Sequence, residues 1–236
     1  MVITLSREAE SGGDEIARLI AERAGVQLAD RAILERIARR AGLPVAQLAV
    51  FDDLMPGPIE GIIAEWRSSV SHDLYLRRLV DALLALERED KALILGRGAA
   101  FVLTDPGTTH VRVVAPLPCR LARLIERSAA PRAAARRLLT RSDADRARFV
   151  RHAFDADINA ACHYDLLVNT AELPLEDAAE LILFTARRKA ARRLLADESP
   201  KDLLSDVLRF RRRPRFPRVS EAVWRHCERC ASGFGP

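Results

Sequence analysis

The residues best suited to chemistry lie at the start of the chain. Ser11-Gly12-Gly13 can turn the backbone sharply and let it approach a ligand closely. Asp14 then opens a helical pattern, and the unsatisfied N–H groups and dipole at a helix start favour phosphate. A glycine turn between a strand and a helix is also an ordinary structural device. Arginines supply a second signal. Arg7 stands just before the turn, Arg97 lies inside Gly96-Arg97-Gly98, and Arg120, Arg123 and Arg127 recur at three- and four-residue spacing. That spacing puts the last three on one helical face, with Arg141 and Arg146 in the next helical stretch. Phosphoryl transfer needs positive charge gathered around the moving group, and these are side chains of the right type. An arginine-rich helix is equally a solvated face.

The elements that must position these residues follow from periodicity. Residues 2–5 are apolar and β-branched and read as a buried strand. In 14–24, Ile16, Ala17, Leu19, Ile20 and Ala24 share one helical face. Residues 31–41 read as a second helix, 52–61 as a Pro/Gly loop, and 62–89 as a long helix. Residues 91–95 and 110–115 are further buried strands. A helix over 119–127, a basic helix over 132–161, a strand over 164–169 and a final helix over 175–195 complete the series. Four strands separated by helices argue for a parallel sheet with helices on both faces.

The run Ser6-Arg7-Glu8-Ala9-Glu10-Ser11-Gly12-Gly13-Asp14-Glu15-Ile16-Ala17 resembles the opening of the cytidylate-kinase-like family, whose usual form is S-R-E-x-G-S-G-G-x-x-I-A. Gly25-Val26-Gln27-Leu28-Ala29-Asp30-Arg31 is similar to its second-strand region, and Ile94-Leu95-Gly96-Arg97-Gly98-Ala99-Ala100 to its central strand end. Asp143-Ala144-Asp145-Arg146 and Tyr164-Asp165-Leu166-Leu167-Val168-Asn169-Thr170 resemble its later motifs. The likeness spans residues 2–186, leaving 42–90 and the tail unmatched. It implies a three-layer α/β architecture, a P-loop NTPase-like parallel sheet flanked by helices with a helical lid. It further implies a nucleoside monophosphate kinase that moves a phosphoryl group from ATP, with Mg2+, to a nucleotide such as CMP. On that reading Arg7, Arg97, Arg123 and Arg127 carry catalytic charge. Ser6, Ser11, Gly12, Gly13, Asp14, Arg120, Arg141 and Arg146 bind the nucleotide phosphates. Asp30 and Arg31 contact the acceptor, although Asp30 would serve equally as a helix N-cap.

The loop departs from the standard G-x-x-x-x-G-K-[ST] pattern. Arg7 stands at the first glycine, Gly13 at the lysine and Asp14 at the Mg2+-binding hydroxyl. The missing lysine is shared with the family, but Glu10 replaces a glycine of the family pattern. A carboxylate there repels phosphate unless it turns outward or holds a cation. An acidic metal partner expected near Gly96-Arg97 is absent, since Leu95 and Ala100 stand there, and no metal site made by protein side chains is expected. A second reading is therefore a catalytically impaired nucleotide- or anion-binding regulator.

The bulk numbers fit one such domain. The chain has 236 residues, 49% of them apolar and 30% charged, with net charge +5. No apolar run reaches the roughly 18 residues of a membrane span, and no basic-then-apolar leader opens the sequence. Four cysteines make no disulfide framework in a chain this long, so a cytoplasmic location is expected. The charge is uneven. Residues 187–236 hold 14 Lys/Arg against 6 Asp/Glu. A domain over 1–196 with a basic extension over 197–236 is expected. That extension is either a solvated terminus or a surface for an anionic partner or nucleic acid, which is a third reading. Cys227 and Cys230 form a lone C-x-x-C, short of the four ligands of a structural zinc site. The acceptor identity and oligomeric state are not legible.

Overall fold

The computed structural model describes residues 1–29, 69–88 and 90–197. Strand β1 (Val2–Arg7) runs into helix α1 (Gly13–Ala24) and strand β2 (Gln27–Ala29). Then come α2 (Ser69–Arg88), β3 (Ala92–Leu95), β4 (Thr109–Val114), α3 (Leu117–Ser128), α4 (Arg132–Phe154), β5 (Leu166–Asn169) and α5 (Leu175–Asp197). All pairings in the sheet are parallel, in the order β2-β3-β1-β4-β5. β1 is therefore the central strand, and its C-terminal end opens between those of β3 and β4.

The strands are almost continuously apolar because helices cover both faces. On one face Ile3, Leu5, Leu93, Val111, Val113 and Val168 meet Ile16, Ala17 and Ile20 of α1 and Ala179, Ile182 and Ala186 of α5. On the other, Val2, Ala92 and Ile94 meet Leu76, Leu79, Leu83 and Leu86 of α2 and Val150, Ala153 and Phe154 of α4. A separate cluster of Leu121, Leu124, Ala135 and Leu139 binds α3 to α4 as a hairpin, and Ala9 packs against it. These three layers are the expected α/β architecture. Among the described residues no helix is long and apolar enough to cross a membrane.

Two expectations change. Periodicity marks four strands, and among the described residues the sheet has five, because β2 is only three residues long and too short to show alternation. The basic helix expected over 132–161 ends at Phe154. Asp155 is left-handed (φ 51°) and returns its N–H to Arg151 O. Asn159 N then donates to Asp157 Oδ1 at 2.9 Å in a turn. Ile158 kept the apolar pattern alive because it is buried in the core, 6% exposed, from a turn rather than a helix. The expected helix at 31–41, the loop at 52–61, the start of the helix expected at 62–89 and the tail lie outside the described residues.

Candidate active site

The turn after β1 is pinned from below. Glu8 N donates to Val113 O at 3.0 Å and Ser11 N to Glu8 O at 3.3 Å. The buried Ser11 hydroxyl donates to Glu8 O at 2.9 Å, with Val113 O at 3.3 Å. Ser11 thus fastens the turn to β4. Gly12 is the left-handed N-cap of α1 (φ 81°) and no side chain caps the helix. A Cβ on Gly12 would lie 2.6 Å from Leu175 Cδ2, and one on Gly13 2.6 Å from Arg7 Cβ. Both glycines are required by the close packing of α1 on α5 and β1, which a need for ligand approach alone does not explain. The first bond returning to the cap is Ile16 N to Gly12 O at 3.0 Å. The leading N–H groups of α1, from Gly13, Asp14 and Glu15, therefore have no intrahelical acceptor.

The arginines of α3 hold the turn from behind. Arg120, 6% exposed, donates to Ala115 O at 2.8 Å and Ala9 O at 3.2 Å and meets Asp143 Oδ2 at 2.6 Å. Its Nε lies 3.4 Å from Glu8 Oε2. Arg123 donates to Glu10 O at 3.3 Å and to Thr170 O at 2.6 Å. Thr170 in turn donates its hydroxyl to Ser11 O at 2.6 Å. Three consecutive loop carbonyls, of Ala9, Glu10 and Ser11, thus each have a donor. In a trans peptide the C=O and the following N–H point oppositely, so anchoring those oxygens aims the N–H groups of Glu10 and Gly12 to the other side. Arg127 pairs with the Glu10 carboxylate. Glu10, itself left-handed at φ 59°, is turned toward α3. Burial is the main reason its carboxyl stands above the usual range; Arg127 opposes this, and Glu15 and Asp14 add to it.

In front of the turn lies a cavity of about 90 Å3 lined by Arg7, Glu8, Arg112, Asp143, Arg146, Ile158 and Asn159. Arg7 reaches Asp14 Oδ1 at 3.0 Å, and its guanidinium passes beneath Gly96. It joins the ends of β1 and β3 to the first turn of α1. Arg146 meets Asp143 Oδ1 at 3.3 Å. Asp143 also accepts from Ala9 N at 3.1 Å. Arg97 lies half-buried on the end of β3, left-handed at φ 59° between two positive-φ glycines. Strained backbone of this kind persists only where its surroundings hold it.

The structure therefore brings Arg7 and Arg146 to the cavity, with Asp14 joined to it through Arg7 and Ser6 through Arg112, and sets Ser11, Arg120, Arg123 and Arg127 behind the loop. Arg141 is exposed, 3.9 Å from Asp145, and does not line the cavity. Asp30 and Arg31 fall outside the described residues. Sequence reasoning passed over Arg112, Asn159 and the bracing role of Thr170. Arg112 stands within a strand of otherwise apolar character, and a lone charge at an inward-facing strand position is the signal that marks it.

The leading N–H groups of α1 and Arg7 suit the phosphates of ATP. Asp14 offers a hard oxygen, and Mg2+ needs only one or two carboxylates beside substrate phosphates. Among the described residues no group of three or more His, Cys, Asp or Glu side chains that could hold a metal ion gathers.

A family model described as the cytidylate kinase-like family matches residues 2–172. Among solved structures, an uncharacterized protein from Eubacterium ventriosum ATCC 27560 superposes with a TM-score of 0.58 at 17% identity, over 79% of this chain and 98% of that one. That likeness bears on the fold alone. A shikimate kinase from Bacteroides thetaiotaomicron gives 0.46 at 14% identity, over 79% and 98%. A uronate isomerase from Corynebacterium glutamicum is 29% identical over 114 residues, 48% of this chain and 21% of that protein. The chain matches about a fifth of the length of that curated relative.

Proposed function

The chain belongs to the cytidylate kinase-like family, and from that premise we propose that it is a phosphotransferase moving the terminal phosphoryl group of ATP to a small acceptor, a nucleoside monophosphate such as CMP. The observation that carries this reading is that Arg7, which reaches Asp14 in the uncapped first turn of α1, also lines the cavity that holds Arg112 and Arg146. Open α/β sheets bind ligands beyond the carboxyl ends of their strands, and here β1, β3 and β4 end together.

The donor phosphates would rest on the N–H groups at the start of α1, with Arg7 across them. Arg7 and Arg146 would neutralise charge on the phosphoryl oxygens as the bond to the leaving nucleotide lengthens. The braced turn needs no rearrangement to present its N–H groups, and preorganisation of this kind is usually the largest catalytic term. Mg2+, held by Asp14 together with the phosphates, would supply further charge neutralisation. Arg120, Arg123 and Arg127 act by positioning the loop.

A second reading rests on Glu10 and on the Arg7–Asp14 pair. Four acids, Glu8, Glu10, Asp14 and Glu15, stand in the loop and the first turn of α1, so a protein that binds nucleotide without transfer fits the same residues. Phosphoryl transfer from ATP to a panel of nucleoside monophosphates with Mg2+ separates the two. ADP formation dependent on acceptor supports the first, and ATP binding without any transfer supports the second. A cytoplasmic location and an anionic partner for the basic tail belong to the same proposal, and loss of salt-dependent nucleic-acid binding on deletion of the tail tests the second.

A further inference from the structure

Helix α5 is apolar on two opposite faces. Ala178, Ala179, Ile182, Leu183 and Ala186 are buried in the core. Leu181, Phe184, Ala191 and Leu195 recur at spacings of three, seven and four along the far side. Of these, Leu181, Phe184 and Leu195 are 43%, 65% and 66% exposed. A single exposed leucine needs no explanation, but an apolar stripe set opposite the core face marks a contact surface.

The same outer face is polarised by charge. Glu176, Asp177 and Glu180 lie exposed before Phe184, and Arg187, Arg188 and Arg192 lie exposed after it. The helix dipole favours acids within the first turn and bases within the last. It accounts for Glu176 and Asp177, which stand in the first turn, but not for Glu180 or the three arginines. Among the described residues Asp177 and those arginines make no ion pair. Glu180 meets Arg23 at 3.3 Å, yet its side chain is 73% exposed.

We propose that this face seats a second copy of the chain, in an isologous dimer whose two α5 helices run antiparallel about a two-fold axis at Phe184. Glu180 and Arg188 stand four residues before and four after Phe184. An axis there sets Glu180 of each copy level with the partner's Arg188, and Asp177 level with the partner's Arg192, so that each pairing occurs twice. Parallel helices, or an axis at Arg188, would set like charges against each other. An aromatic side chain at the centre with charges around it is the usual anatomy of such a contact. The inference rests on α5 alone and does not depend on the phosphotransferase reading.

The test is sedimentation equilibrium of the full chain, from about 1 µM to about 1 mM. A monomer–dimer equilibrium is expected. A chain that stays monomeric throughout overturns the proposal and leaves the face to another occupant, for which Leu203, Leu204, Val207 and Leu208 are the nearest apolar run. Phe184→Glu should weaken the dimer at least tenfold, and unchanged dimerisation would place the contact elsewhere and overturn the proposal. A charge exchange keeps the test decisive if that variant fails to fold. Arg188→Glu and Glu180→Arg, each alone, should dimerise at least fivefold more weakly than the parent, because each sets like charges together twice. Mixed in equal amounts they should regain dimer, because in the mixed pair every charge again meets its opposite. A mixture as weak as its separate components overturns the antiparallel contact.

Discussion

Glu10 occupies a left-handed position at the centre of the loop, where a side chain costs roughly 1–2 kcal/mol, and its carboxylate lies against Arg127. Glycine removes both the strain and one negative charge from the cradle, so Glu10→Gly should bind ATP several-fold more tightly in calorimetry. Weaker binding would mean that the Glu10–Arg127 pair shapes the cradle. His110 gives a pH signature. Burial, reinforced by Lys189 and opposed by Asp165, pushes its pKa down to about 4, while its ring Nδ1 lies 2.8 Å from Thr4 Oγ1. The unfolded chain takes up a proton below the ordinary value near 6.5 that the folded chain refuses until about 4, so stability falls as pH drops through that window. Urea unfolding at pH 7.5 and 4.5 should differ by about 2 kcal/mol from this group, and His110→Asn should lack that component. An unchanged pH dependence in the variant would assign the loss to other groups. These effects were hidden in the sequence, since neither a positive φ nor a buried histidine is marked by residue type.

At the scale of elements, the α3–α4 hairpin and the segment after β5 grip the loop by its carbonyls. The three-and-four spacing of Arg120, Arg123 and Arg127 correctly indicated one face, but which way that face looked depended on the α3–α4 packing of Leu121, Leu124, Ala135 and Leu139. The grip is graded by burial. Arg120→Ala would take one partner from each of Glu8 and Asp143 and the donor from the Ala115 and Ala9 carbonyls, and should cost roughly 3–5 kcal/mol. Arg127, whose side chain is 55% exposed, should cost under about 1 kcal/mol. Equilibrium denaturation measures both, and similar costs would contradict the assignment. Gly12 was legible as a turn residue, but its tightest neighbour was not. Gly12→Ala should destabilise by roughly 2–4 kcal/mol through its φ and Leu175, and Leu175→Ala in the same chain should restore part of that. No restoration would leave φ as the whole cause.

Across the whole molecule, the strand–glycine–helix opening and the buried strands at 91–95, 110–115 and 164–169 made the layered sheet readable, because strands covered on both faces are plain apolar runs. The residue set around the cavity was only half readable. Arg7 and Arg146 announced themselves by motif and charge, whereas Arg112 and Thr170 meet the site only through the β1–β4–β5 register and Asn159 only through the turn that follows α4. Arg7 joins the uncapped start of α1 to the cavity that holds Arg112 and Arg146, and the proposed phosphotransfer rests on that junction. The most direct measurement is transfer of label from γ-labelled ATP to nucleoside monophosphates by the full chain with Mg2+. The account predicts acceptor-dependent labelling of at least one monophosphate, lost in Arg7→Ala. ATP binding with no label reaching any monophosphate would contradict it.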